Sequence, residues 1–110
     1  MQITFQSDRL RNEFNDKRAL LKNRGKAQAG KIGVRMTQLE SATTLVQLRN
    51  QPGRFHELTG NLKDFVACDL DGQYRLIFAV ADKPVPRLSD GGLDWSKVTS
   101  VCIHDVLDYH

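Results

Sequence analysis

The chain has 110 residues, 40% apolar and 26% charged, with 8 Gly and 3 Pro; this excludes collagenous, low-complexity and largely disordered chains and fits one folded domain over residues 1–110. The longest apolar run, Leu76 to Ala81, is six residues against the roughly 20 that cross a bilayer, and Met1 to Phe5 lacks a charged segment leading into an apolar one. A cytoplasmic protein without membrane contact is therefore expected. The net charge of +3 hides a polarised chain: residues 1–50 hold ten Lys/Arg and four Asp/Glu, residues 51–110 six and nine.

Taken in chain order, Ile3 and Phe5 alternate with Gln2 and Thr4, a short first strand. Ser7 and Asp8 are N-cap residues, and Leu10, Phe14 and Leu20/Leu21 share a stripe, predicting a helix to about Lys22 that Arg24-Gly25 ends. Ile32, Met36, Leu39 and Val46 keep helical spacing, so a second helix is expected from about Ala27 to Leu48, its first turns weakened by Gly30 and Gly33. Asn50-Gln51-Pro52-Gly53 is a turn. The period then becomes two: strands are predicted at Phe55–Leu58, Phe65–Leu70, Tyr74–Val80 and Val98–Leu107, with Asp71-Gly72 as a hairpin turn and Asp82 to Trp95 as a polar loop. In the last strand Val101, Ile103 and Leu107 are expected on one side. The order β-α-α-β-β-β-β describes an α+β domain, two consecutive helices on a mainly antiparallel sheet.

Between Lys17 and Arg35 there are seven basic residues and no acidic one. Clustered cations of this kind suit a polyanion or an acidic protein partner, and equally a solvated helix face. No phosphate loop, nucleophile elbow or metal-ligand spacing is present, so neither a cofactor nor a metal is expected. Cys68 and Cys102 form no disulfide framework and are read as thiols. What remains is a polar set that the sheet can gather: His56, Lys63, Tyr74, Arg75, Asp108, Tyr109 and His110. Metal-free RNA cleavage needs a base for the 2′-hydroxyl, an acid for the leaving 5′-oxygen and cations on the phosphate, and these residue types can supply all three.

The segments Phe55-His56-Glu57-Leu58-Thr59-Gly60 and Gly72-Gln73-Tyr74-Arg75-Leu76-Ile77-Phe78 and the closing Asp108-Tyr109-His110, with the length and element order, resemble the HigB branch of the RelE/ParE superfamily of bacterial type II toxins. The first half fits more loosely. The resemblance implies a RelE-like fold, cutting of messenger RNA in the ribosomal A site, and neutralisation by a HigA-like helix-turn-helix antitoxin. It places the catalytic arginine at Arg75, the terminal acid, tyrosine and histidine at Asp108, Tyr109 and His110, and a further histidine at His56. Thr59 departs from the lysine that many members carry before the glycine; Lys63 is the nearest cation to take its place on a phosphate.

With that resemblance, His110 is the first candidate for proton transfer, because imidazole titrates near neutrality. Asp108 would orient it or act as the partner base, Tyr109 would stack on a base or lend its hydroxyl, and Arg75 would brace the scissile phosphate. Arg75 also has a purely structural reading, an ion pair with an aspartate of the sheet. Lys22, Arg24 and Lys26 are expected to add sequence-independent affinity for RNA. Two other functions fit the same resemblance: a non-enzymatic ParE-like toxin that poisons DNA gyrase, and a degenerate antitoxin-binding module.

Overall fold

Strand β1 (Gln2–Phe5), helices α1 (Asp8–Phe14) and α2 (Lys17–Ser41), and strands β2 (His56–Glu57), β3 (Phe65–Asp69), β4 (Tyr74–Val80) and β5 (Ser100–Asp108) follow one another along the chain in a computed structural model that describes residues 1–108. The strands form one sheet in the order β1-β5-β4-β3-β2. β1 runs parallel to β5, and the other three pairings are antiparallel. The α+β architecture is the one that the periodicities predict.

The helical layer is divided differently from the sequence expectation. Helix α1 is capped by Ser7, whose hydroxyl accepts from the Leu10 N–H at 3.1 Å, but it stops at Phe14 instead of continuing to Lys22. Asp16 is the reason: its carboxylate accepts from the N–H groups of Arg18 and Ala19 at 3.0 and 3.2 Å, so a second N-cap starts α2 there. Gly25, at φ 81° and ψ 164°, then breaks α2 into two arms, a conformation that glycine adopts without strain. The helix ends at Ser41, not Leu48; Leu45–Leu48 is a separate 3-10 turn.

The core lies between this layer and one face of the sheet. Leu10, Leu20, Ile32 and Leu39 from the helices meet Val66, Cys68, Leu76, Phe78, Val101 and Ile103 from the strands. Each side chain of this size contributes roughly 1.5–3 kcal/mol when fully buried. Burial pushes the Cys68 thiol up to about 12, so it stays protonated and packs as a small apolar group.

The β4–β5 register slips between Ile77, which opposes Asp105, and Phe78, which opposes Ile103. His104 is the extra residue of this bulge, and it reverses the alternation beyond it. Val106, not Leu107, therefore joins Val101 and Ile103 against the core. Leu107 stands opposite Arg75, on the face of the sheet that carries no helix.

Candidate functional site

That second face holds the polar cluster. Asp69 and Arg75 are register partners across β3 and β4, His56 pairs with Ala67 one row away, and Ile77 opposes Asp105 in the same row as Ala67. Residues that oppose one another in a ladder share a face, so His56, Asp69 and Arg75 lie together. Arg54 arrives from the turn before β2. There Gly53 and Arg54 both have positive φ, 112° and 50°, and the Asp69 N–H donates to the Gly53 carbonyl at 2.7 Å.

Asp69 is the centre of the cluster. Its carboxylate takes Arg75 Nε at 2.8 Å and both Nε and Nη2 of Arg54 at 3.2 Å. Its backbone carbonyl accepts from Arg35 Nε at 2.7 Å, and Arg35 is itself buried. The hydrogen bond that Arg54 donates to Asp69 raises its guanidinium above the ordinary value, so its charge is permanent. Two guanidiniums on one carboxylate, with Arg35 on the backbone carbonyl of the same residue, leave an excess of positive charge, the condition for binding an anion. Arg75 Nη1 donates to the Tyr74 and Gly72 carbonyls at 3.0 and 3.4 Å; Nη2 has no hydrogen bond among the described residues and remains available for a ligand oxygen.

His56 adds a proton acceptor. Its Nδ1 lies 2.6 Å from the Arg54 carbonyl, and since a carbonyl can only accept, Nδ1 carries a proton, which in the neutral ring leaves the lone pair on Nε2. The arrangement can hold a phosphate between guanidiniums and take a proton from a neighbouring hydroxyl.

The other sequence candidates are distributed less favourably. Lys63 is exposed at the far end of β3 from Asp69, six residues away, or roughly 20 Å of extended chain. It does not join the cluster. Asp108 opposes Tyr74, not Arg75, in the β4–β5 register and so stands on the alternate face. Arg24 is bound by Glu13, with Nε to Oε2 at 3.0 Å and Nη2 to Oε1 at 2.9 Å. Lys22 and Lys26 are exposed on α2, in the helical layer across the core from Arg75. Tyr109 and His110 lie outside the described residues.

Sequence reasoning missed Asp69, Arg54 and Arg35. A two-residue turn at Asp71-Gly72 would set Asp69 against Tyr74; the loop holds residues 71–73, with the Leu70 N–H donating to the Tyr74 carbonyl, and this one-residue shift is what brings Asp69 opposite Arg75. Nothing in the local pattern announces Arg54 or Arg35, whose roles come from the Gly53 turn and from α2 passing beneath it.

No protein-family model matches the chain, and neither does any curated protein. Solved structures do match. A chain of the YoeB-YefM complex from Staphylococcus aureus superimposes with a TM-score of 0.58 at 16% identity, over 100% of this chain and 97% of that one. A YoeB/ParE toxin from Agrobacterium tumefaciens gives 0.59 at 9% identity over 100% of both chains, and the YoeB dimer from Staphylococcus aureus gives 0.54 at 16% identity over 100% and 97%. The chain therefore has the fold of YoeB/ParE-type toxins.

Proposed function

We propose that this chain is the toxin of a toxin–antitoxin pair and that it cuts messenger RNA on the ribosome, in the cytoplasm, without a metal. The observation that carries this reading is the Arg54–Asp69–Arg75 cluster with His56 on the same face. In this reading the RNA crosses that face, Arg75 and Arg54 hold the scissile phosphate, and an imidazole takes the 2′-hydroxyl proton as the 2′-oxygen attacks phosphorus. The P–O5′ bond breaks, and a proton returns to the 5′-oxygen. His110 is the first candidate for the proton transfers and His56, with its Nε2 lone pair, the second. Tyr109 stacks on or hydrogen-bonds a neighbouring base, with Asp108 beside it in sequence.

The Tyr74-Arg75-Leu76-Ile77-Phe78 strand and the Asp108-Tyr109-His110 end favour the HigB type within this fold, and hence a HigA-like helix-turn-helix antitoxin. The Staphylococcus aureus structure is that of a complex, YoeB with YefM, and an antitoxin partner for this chain follows by analogy with it.

Induced expression in bacteria tests the reading, with primer extension on several transcripts and a gel assay for linearised plasmid. New transcript ends within codons are expected from the native chain and not from Arg75→Ala or His110→Ala. Growth arrest with intact transcripts and linearised DNA would replace the reading by gyrase poisoning. Unchanged growth, transcripts and plasmid would favour the antitoxin-binding module.

A further inference from the structure

We propose that the outer edge of β1 is a self-association surface, on which a second copy of this chain lays its own β1 antiparallel and joins the two five-stranded sheets into one. The proposal does not depend on the nuclease reading. β1 ends the sheet and pairs with β5 alone. The N–H groups of Gln2 and Gln6 donate to the Thr99 and Ile103 carbonyls at 3.0 and 2.9 Å, and backbone groups alternate in direction along a strand. The N–H and C=O groups of Ile3 and Phe5 therefore point out of the sheet, with no backbone partner among the described residues. Gln2-Ile3-Thr4-Phe5 carries no charge, proline or bulge to keep that edge from pairing.

A two-fold axis through Thr4 satisfies every open group. Ile3 exchanges both backbone hydrogen bonds with the partner's Phe5, and Phe5 with the partner's Ile3. Thr4 alternates with these two and meets the partner's Thr4 on the helix-free face. Ile3 and Phe5 face the helical layer, where both pack against the core. Threonine–threonine and aromatic–β-branched contacts are both favourable across paired strands. A cavity of about 520 Å³ opens between β1 and the helices, lined by Ile3, Phe5 and Met36 among others, and the partner's Ile3 and Phe5 cover it.

Charge singles out a second copy as the occupant. Glu40 and Arg11 line the same cavity but stand at opposite ends of β1. The Met1 ammonium donates to the Glu40 carbonyl at 3.3 Å, which sets Glu40 beside the start of the strand. Arg11 belongs to α1, which follows the strand and packs its Phe14 ring on Phe5 with centroids 5.7 Å apart. An antiparallel partner reverses this order, bringing its Arg11 to Glu40 and its Glu40 to Arg11, so that one contact makes two ion pairs. Both side chains are open to this. Glu40 makes no ion pair among the described residues, and Arg11 makes only the exposed contact with Asp8 at 3.1 Å. A strand from another protein would satisfy the backbone groups alone.

Sedimentation equilibrium of the full, untagged chain over a concentration series reads the association, and amide hydrogen exchange locates it. A monomer–dimer equilibrium is expected, with exchange at the Ile3 and Phe5 amides slowing as the dimer forms. Arg11→Glu and Glu40→Arg change exposed side chains, so both variants should fold. Each should weaken the dimer about ten-fold, because like charges then meet twice. Mixing the two variants should restore the affinity, since every cation in the mixed dimer faces a carboxylate, and the chain carrying both changes should regain it by itself. A monomer at every concentration, a dimer indifferent to either substitution, variants that fail to pair on mixing, or free exchange at Ile3 and Phe5 in the dimer would overturn the proposal.

Discussion

Arg75 and Asp69 face each other across the β3–β4 hairpin as register partners, with Nε 2.8 Å from Oδ1. The structural reading of Arg75, an ion pair with an aspartate of the sheet, is thus realised, and it is compatible with a role on substrate because Nη2 has no hydrogen bond among the described residues. The side chains are 16% and 30% exposed, so water screens the pair and its contribution to stability is on the order of 1 kcal/mol.

Two variants separate these roles. Arg75→Ala should lower RNA cleavage about 100-fold while costing on the order of 1 kcal/mol of stability, since a brace on developing charge acts chiefly in the transition state. Asp69→Asn keeps the guanidinium but releases its orientation, and about a ten-fold loss is expected. Cleavage of ribosome-bound message and thermal melting measure the two quantities. A falling melting temperature with unchanged cleavage would leave Arg75 a structural residue only.

Gly53 connects the buried arginine to the site. A Cβ there would lie 2.7 Å from Arg35 Nε, and φ at this position is 112°. Arg35 cannot easily move aside, because it also donates to the Asp69 carbonyl and to Gln38 Oε1. Gly53→Ala should therefore destabilise by about 1–3 kcal/mol. It should also loosen the Arg54–Asp69 contact and lower cleavage, whereas Gly72→Ala, where a Cβ meets nothing within 4 Å, should leave cleavage unchanged despite its own positive φ. Denaturant melts and cleavage assays on both variants decide; equal effects on cleavage would show that the Gly53–Arg35 contact does not position the site.

Arg24 gives the stability a pH dependence. Its hydrogen bond holds the Glu13 carboxyl below its usual value of 4.5, against the opposing effect of burial and with help from Asn23. A carboxylate whose folded value is depressed stabilises the protein above its unfolded value and loses that contribution as pH falls through the folded one. Glu13 is 7% exposed and Arg24 19%, so Glu13→Gln should cost about 1–3 kcal/mol near neutrality. The gap between the native chain and this variant should narrow as the pH drops below 4.5. A gap constant from pH 7 to 3 in denaturant titrations would mean that the pair adds nothing.

The sheet was readable because its signals are local: the Asp71-Gly72 turn and the alternation in Tyr74 to Val80 set β3 against β4 without tertiary information. The helical layer was less so. Leu10, Phe14 and Leu20 keep one stripe whether or not the backbone breaks between them, and only the capping strength of Asp16 separates α1 from α2. The bulge at His104 has no composition signature, and it alone moves Leu107 off the core face. For the site, Arg75 and His56 stood out by residue type. The partners that orient them come from distant segments, Arg54 from a left-handed turn and Arg35 from α2, and no spacing rule joins those.

The two ends of the chain should respond oppositely to modification. The Met1 ammonium donates to the Leu39 and Glu40 carbonyls at 3.2 and 3.3 Å and to that of Ala42, placing a positive charge on the carboxyl end of α2, where the helix dipole favours it by about 0.3–1 kcal/mol. An N-terminal tag converts this ammonium into an uncharged amide, so it should lower the melting temperature by about 2–6 °C and leave growth arrest intact. Removing His110 should abolish arrest, because the proposed chemistry loses its proton carrier. Melting curves and induced growth curves on the same preparations read both effects. Arrest with transcript cleavage by the chain ending at Tyr109 would exclude His110 and move the proton transfer to His56, which lies on the face that carries Arg75.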